Sequence, residues 1–124
     1  MAVKPTDSEI EILQILWTKG SCTVREVNDI LSEERGEIVG YTTTLKLMQI
    51  MFEKNMVERD TTNRSHVYKA LLNPEKTKST IVNKFIEDVF NGSAAQLVMH
   101  AVNRKSSRQE IEEIRNYLDQ LEKK

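Results

Sequence analysis

The feature that most constrains this chain is a change of hydrophobic period along it. Up to about residue 54 the apolar residues recur every three or four positions, as on one face of a helix. Two short β-prone runs follow, and the helical period then returns to the end of the chain. A chain ordered this way has few ways to bury its apolar faces.

The local signals place the elements. Thr6 with Glu9 three residues on is a capping box, and Ile10, Leu13, Leu16 and Trp17 follow at helical spacing before Gly20. Thr23 with Glu26 repeats the device ahead of Val27, Ile30 and Leu31, and this second helix should end near Glu34–Gly36. Gly40 announces a third helix, "YTTTLKLMQIMFEK", whose apolar stripe is Thr44, Leu47, Met48 and Met51, widened by Leu45 and Phe52. Three consecutive threonines suit a first turn better than a helix interior, and Asn55 suits a left-handed C-terminal cap. "MVERD" and "HVYKALL", joined by the polar "TTNRS", read as a two-stranded hairpin.

Asn73-Pro74 starts a fourth helix carrying Ile81, Val82, Phe85, Ile86, Val89 and Phe90, which Asn91-Gly92-Ser93 interrupts. A fifth carries Leu97, Val98, Ala101 and Val102. Ser107 and Glu110 form a third capping box, and Ile111, Ile114, Leu118 and Leu121 then make a narrow heptad-like seam. The expected fold is mainly α with a small β-hairpin: a winged helix-turn-helix over residues 1–72, then a three-helix dimerisation arm over residues 73–124. Small helical chains of this kind often complete their core by pairing with a second copy.

Charge is uneven. Residues 1–37 carry 4 basic and 8 acidic side chains, residues 38–72 carry 5 and 3, and residues 73–124 carry 9 and 8, against a net charge of −1 overall. The middle third is therefore the best seat for a polyanion. The single cysteine, Cys22, rules out an internal disulfide or a cysteine-rich metal site, and is read as a partly buried small residue in the linker before the second helix. No apolar run approaches membrane-spanning length and the start is not a signal peptide, so no membrane insertion is expected and the cytoplasm is the default compartment. His66 and His100 lack ligand-like spacing, Trp17 reads as a core anchor, and Tyr68 and Phe85 read as packing. No catalytic constellation or cofactor motif stands out, so neither an enzyme nor a cofactor is expected.

The helix order makes the third helix a candidate for the major groove. Its face opposite the core holds Thr42, Thr43, Lys46, Gln49 and Glu53, with Tyr41 where the chain enters the helix. Thr can bond a base edge or a phosphate, Gln suits adenine, and Lys suits guanine or phosphate. At the hairpin tip Asn63 and Arg64 can reach the neighbouring backbone or minor groove. The same pattern is compatible with a winged-helix protein-interaction adaptor that reads no operator.

The chain also resembles the penicillinase-repressor family. The resemblance runs through "PTDSEIEILQILW", "TVREVNDIL", "YTTTLKLMQIMFEKNMV", "RSHVYKALL", "FNGSAAQLV" and "SRQEIEEIRNYL", in that order over nearly the whole length. It implies a transcriptional repressor that binds double-stranded DNA, a near-palindromic operator, as a homodimer. Thr43 matches the threonine such repressors carry near the start of the recognition helix, and Thr42, Lys46 and Gln49 match neighbouring contact positions. The resemblance implies dimerisation through the three C-terminal helices, which adds Phe85, Val89 and Leu97 to Ile111, Ile114, Leu118 and Leu121. Many members carry an Arg where this chain has Ile50, so their operator is not transferred to it. Members induced by β-lactams are cut at an Asn-Phe bond by a membrane metalloprotease sensor, and His100-Ala101 aligns with that bond. Copper-responsive relatives carry a C-terminal cysteine cluster that this chain lacks.

Overall fold

A computed structural model describes residues 4–123. In chain order the elements are α1 (Asp7–Lys19), β1 (Cys22–Thr23), α2 (Val24–Arg35), α3 (Tyr41–Glu53), β2 (Val57–Asp60), β3 (Val67–Ala70), α4 (Pro74–Phe90), α5 (Ala94–Ala101) and α6 (Arg108–Glu122). They fall into two compact units, one running to Ile81 and the other starting at Val82.

In the first unit both expected capping boxes form. The Thr6 hydroxyl accepts from Glu9 N–H while Glu9 accepts from Thr6 N–H, and Thr23 with Glu26 does the same. Each box satisfies two backbone N–H groups that a helix start otherwise leaves unpaired. Helix α3 ends in a Schellman motif. Met56 N–H donates to Met51 O at 2.9 Å and Asn55 N–H to Phe52 O at 3.1 Å, with Asn55 at φ 63°. That left-handed residue turns the chain from helix into β2 while Met51 and Met56 both stay buried.

The hairpin is joined by a further strand, which the sequence reading did not anticipate. The sheet has three antiparallel strands in the order β1-β3-β2. Cys22 pairs with Tyr68 and Thr23 with Val67, so Cys22 is a strand residue, buried, and not part of a linker. A two-residue strand is too short to carry a period, which is why it left no sequence signal. On the other side Val57 pairs with Ala70 and Arg59 with Tyr68, and the solvent-facing pair Glu58 and Lys69 is 3.6 Å apart. Tyr68 is 1% exposed and lies under the sheet with Val57.

The core of this unit gathers Ile12, Leu13, Ile15 and Leu16 from α1, Val27 and Leu31 from α2, Met48 and Met51 from α3, and Val57 and Tyr68 from the sheet. The α1 face therefore differs from the sequence expectation: Ile12 and Ile15 are in the core, whereas Ile10 and Trp17 sit half-buried at its edge. Trp17 is anchored there by a polar handle, its Nε1–H donating to Leu72 O at 3.0 Å. Between α2 and α3 the Thr44 hydroxyl donates to Asn28 Oδ1 at 2.7 Å, both residues being buried.

In the second unit α6 begins with a half-formed box. The Ser107 hydroxyl accepts from Glu110 N–H, without the reciprocal bond expected from Glu110. Ser93 caps α5 in the same way, which makes the "NGS" break also a start signal. Phe90 meets Phe85 edge-on at 5.7 Å and His100 at 5.2 Å. Among the described residues no helix is long and apolar enough to cross a membrane.

One buried charge ties the ends of α1 and α3 together. Glu9 is 1% exposed and its Oε2 lies 2.9 Å from Lys54 Nζ. Burial pushes the Glu9 carboxyl up, but the Thr6 N–H bond and the Lys54 ammonium outweigh it and hold the group below its ordinary value. A carboxylate with a lowered folded value contributes stability above its unfolded value and loses it as pH falls through the folded one. Glu9→Gln is expected to cost about 1–3 kcal/mol near neutral pH. It should also flatten the acid limb of a stability–pH curve from denaturant melts, and an unchanged acid limb would contradict this reading of Glu9.

Candidate nucleic-acid interface

The outward face of α3 follows from what its other face buries. Thr44, Met48 and Met51 point into the core at helical spacing, with Leu45, Leu47 and Phe52 half-buried beside them. Thr42, Thr43, Lys46, Gln49 and Glu53 are consequently all exposed. Tyr41 is partly exposed, and the Arg25 guanidinium lies over its ring at 5.0 Å. That stack joins the first turn of α2 to the first turn of α3.

The start of α3 is chemically distinct from the other helix starts described. Gly40 is its N-cap and no side chain caps it, whereas Thr6, Thr23, Asn73, Ser93 and Ser107 each accept a bond at theirs. The first-turn N–H groups of α3 are thus left to an outside acceptor, beside two threonine hydroxyls. Gly40 has an ordinary negative φ, and a Cβ there would meet only Thr43 Oγ1, at 3.6 Å.

The hairpin tip is shaped by Asp60, whose Oδ1 accepts from both the N–H and the hydroxyl of Thr62. Those bonds hold the Asp60 carboxyl below its ordinary value. Asn63 and Arg64 follow, both exposed. From β2 the Arg59 guanidinium stacks on Phe52 of α3 at 4.1 Å. Its Nε is buried without a hydrogen-bond partner among the described residues.

A groove of about 610 Å³ runs between α2, α3 and the hairpin. It brings together Tyr41 and Gln49 from α3, Arg64 from the hairpin tip, and three residues the sequence reading did not assign to the site, Arg25, Arg59 and Ser65. Thr42, Thr43, Lys46 and Asn63 do not line it. Arg25 and Arg59 were legible as basic residues, but only the α2–α3 packing and the strand register bring them to one groove. Among the described residues no group of three or more His, Cys, Asp or Glu side chains is placed to hold a metal ion.

The sequence matches the model of the family described as Penicillinase repressor over residues 5–120. The chain belongs to the penicillinase repressor family. A curated relative, the penicillinase repressor of Staphylococcus aureus, is 23% identical over 118 residues, covering 94% of this chain and 92% of the relative. Among solved structures, RosR of H. salinarum superposes with a TM-score of 0.58 at 16% identity, covering 98% of both chains. A MarR family protein of Bacillus stearothermophilus superposes with a TM-score of 0.51 at 22% identity, over 97% of this chain and 74% of that one. These likenesses establish the fold: a mainly helical chain with a small antiparallel sheet, shared with winged-helix regulators.

Side chains of α3 that face away from the core should carry little of the folding energy. Lys46→Ala and Gln49→Ala are each expected to change the unfolding free energy by no more than about 0.5 kcal/mol. A loss above about 1 kcal/mol in a thermal or urea melt would mean that these side chains are structural.

Proposed function

We propose that this chain is a sequence-specific DNA-binding transcriptional repressor that occupies a near-palindromic operator as a homodimer. The observation that carries the reading is the two-sidedness of α3. Its buried face is locked to the core, and its outward face presents two hydroxyls, an ammonium and a carboxamide beside an uncapped helix start. Membership of the penicillinase repressor family supports the same reading.

In this reading the first turn of α3 seats a phosphate through its N–H groups and the Thr42 and Thr43 hydroxyls. Lys46 and Gln49, one turn apart on the same face, reach base edges or the adjoining backbone. Tyr41, Asn63 and Arg64 flank that surface. Residues 1–72 form the DNA-binding part and residues 73–124 the dimerisation part.

Exposed apolar side chains in the C-terminal part support dimerisation. Phe85 is 46% and Leu118 52% exposed, and Val89 and Leu121 are more than half exposed as well. Leu97, Ile111 and Ile114 are half-buried. Leaving such residues in water costs about 25 cal/mol per Å² of apolar area that a second copy can cover. Release by proteolysis rests on the family resemblance: His100–Ala101 is the last peptide of α5, with both residues exposed, and a cut there would separate α6 from the rest of the chain.

Two measurements check the reading. On the duplex that the wild-type protein selects, Lys46→Ala should weaken binding and Gln49→Ala should relax base preference, each by about 1–3 kcal/mol if it reads a base. Unchanged affinity and preference in both variants would remove α3 as the reader. Leu118→Lys places a charge in the α6 seam and should shift the protein to monomer in sedimentation at low concentration. A variant that stays dimeric would remove that seam from the interface.

A further inference from the structure

We propose that the groove between α2, α3 and the hairpin is a phosphate seat, with Arg25, Arg59 and Arg64 as its cationic ligands. This deepens the DNA-binding reading and rests on it for the source of the phosphate, namely the sugar–phosphate backbone flanking the bases that α3 reads.

Three observations carry the assignment. Arg25 comes from α2, and Arg59 and Arg64, five positions apart, come from β2 and the hairpin tip; all three line one groove of about 610 Å³, within the range that accepts whole small ligands. None of the three forms an ion pair among the described residues. Two are held in place by aromatic faces, Arg25 over Tyr41 at 5.0 Å and Arg59 over Phe52 at 4.1 Å. Stacking restrains a guanidinium without using up its N–H donors, and a planar fork of donors matches a phosphate. Arg59 Nε is buried and has no hydrogen-bond partner among the described residues, so this guanidinium spends none of its donors on the fold.

The groove also holds two acids, Glu26 and Asp29, so its lining sets three arginines against two carboxylates. Glu26 is turned to other work, its Oε1 accepting from Thr23 N–H at 2.8 Å in the capping box. Asp29 lies one helical turn beyond Arg25 without pairing to it. The DNA backbone is the favoured source because Tyr41 and Gln49 of α3 line the same groove, so a strand passing the reading face enters it. Arg25 and Arg59 thereby add sequence-independent contacts to those offered by the hairpin tip.

The test uses the full chain and compares Arg25→Gln, Arg64→Gln and the charge-retaining Arg25→Lys, each checked by thermal melt. Duplex affinity is measured across a salt series on the selected duplex and on an unrelated one. Each Gln variant should bind about tenfold more weakly on both duplexes and lower the salt slope by about 1, and Arg25→Lys should restore the slope. In a second arm inorganic phosphate is titrated onto the wild type and followed by the His66 ring resonances. Saturable shifts with unchanged salt slopes would keep the seat and assign it to a free phosphorylated ligand. Wild-type protein with no salt-dependent duplex binding defeats the DNA reading, and the phosphate arm then decides the seat alone. Unchanged slopes in both Gln variants together with a flat phosphate titration would overturn the proposal.

Discussion

The hydrogen bond from the Thr44 hydroxyl to Asn28 Oδ1, 2.7 Å long and buried between α2 and α3, is the constraint on which the site depends. A polar pair in an apolar core tolerates little rotation, because turning either helix leaves a buried donor or acceptor unmatched at about 1–3 kcal/mol. Fixing Thr44 inward fixes Met48 and Met51 inward one and two turns later. It also fixes Thr42, Thr43, Lys46 and Gln49 outward. The rotational setting of the outward face is thus a consequence of packing on the other side of the same helix.

The remaining supports hold that helix at its two ends. At its C-terminus the Asn55 turn and the Lys54–Glu9 ion pair join it to the start of α1. At its N-terminus Arg25 stacks on Tyr41, and the turn from α2 is closed by Val39 N–H donating to Ser32 Oγ at 3.0 Å. Arg35 binds Glu11 through two bonds at 2.6 and 3.2 Å, joining the end of α2 to α1. These last two side chains are substantially exposed, so that pair adds little beyond orientation. Arg59 on Phe52 then connects the hairpin to α3.

Much of this was legible in the sequence because it rests on local rules. Capping boxes at Thr6 and Thr23, the left-handed Asn55, the Asn73-Pro74 start and the inward Thr44–Met48–Met51 stripe all depend on residues a few positions apart. What escaped was non-local. Strand β1 exists only because Cys22 and Thr23 find partners at Tyr68 and Val67, more than forty positions away. Ile12 and Ile15 took core places over Ile10 and Trp17 because α1 is covered by more than one neighbour. The reciprocal bond at Ser107 did not form although its spacing matches the two boxes that did. The outward polar set of α3 was readable by subtraction from the core, whereas the convergence of Arg25, Arg59 and Arg64 needed the fold.

Whether α3 of a dimer reads two related half-sites is decided by selecting duplexes from a random pool with the wild-type protein. The expected product is a near-palindrome whose half-site centres lie one helical turn, ~10 base pairs, or a multiple of it apart. Its binding should fall steeply with added salt. Recovery of unrelated sequences, or of a single motif with no dyad-related copy, would contradict the half-site reading.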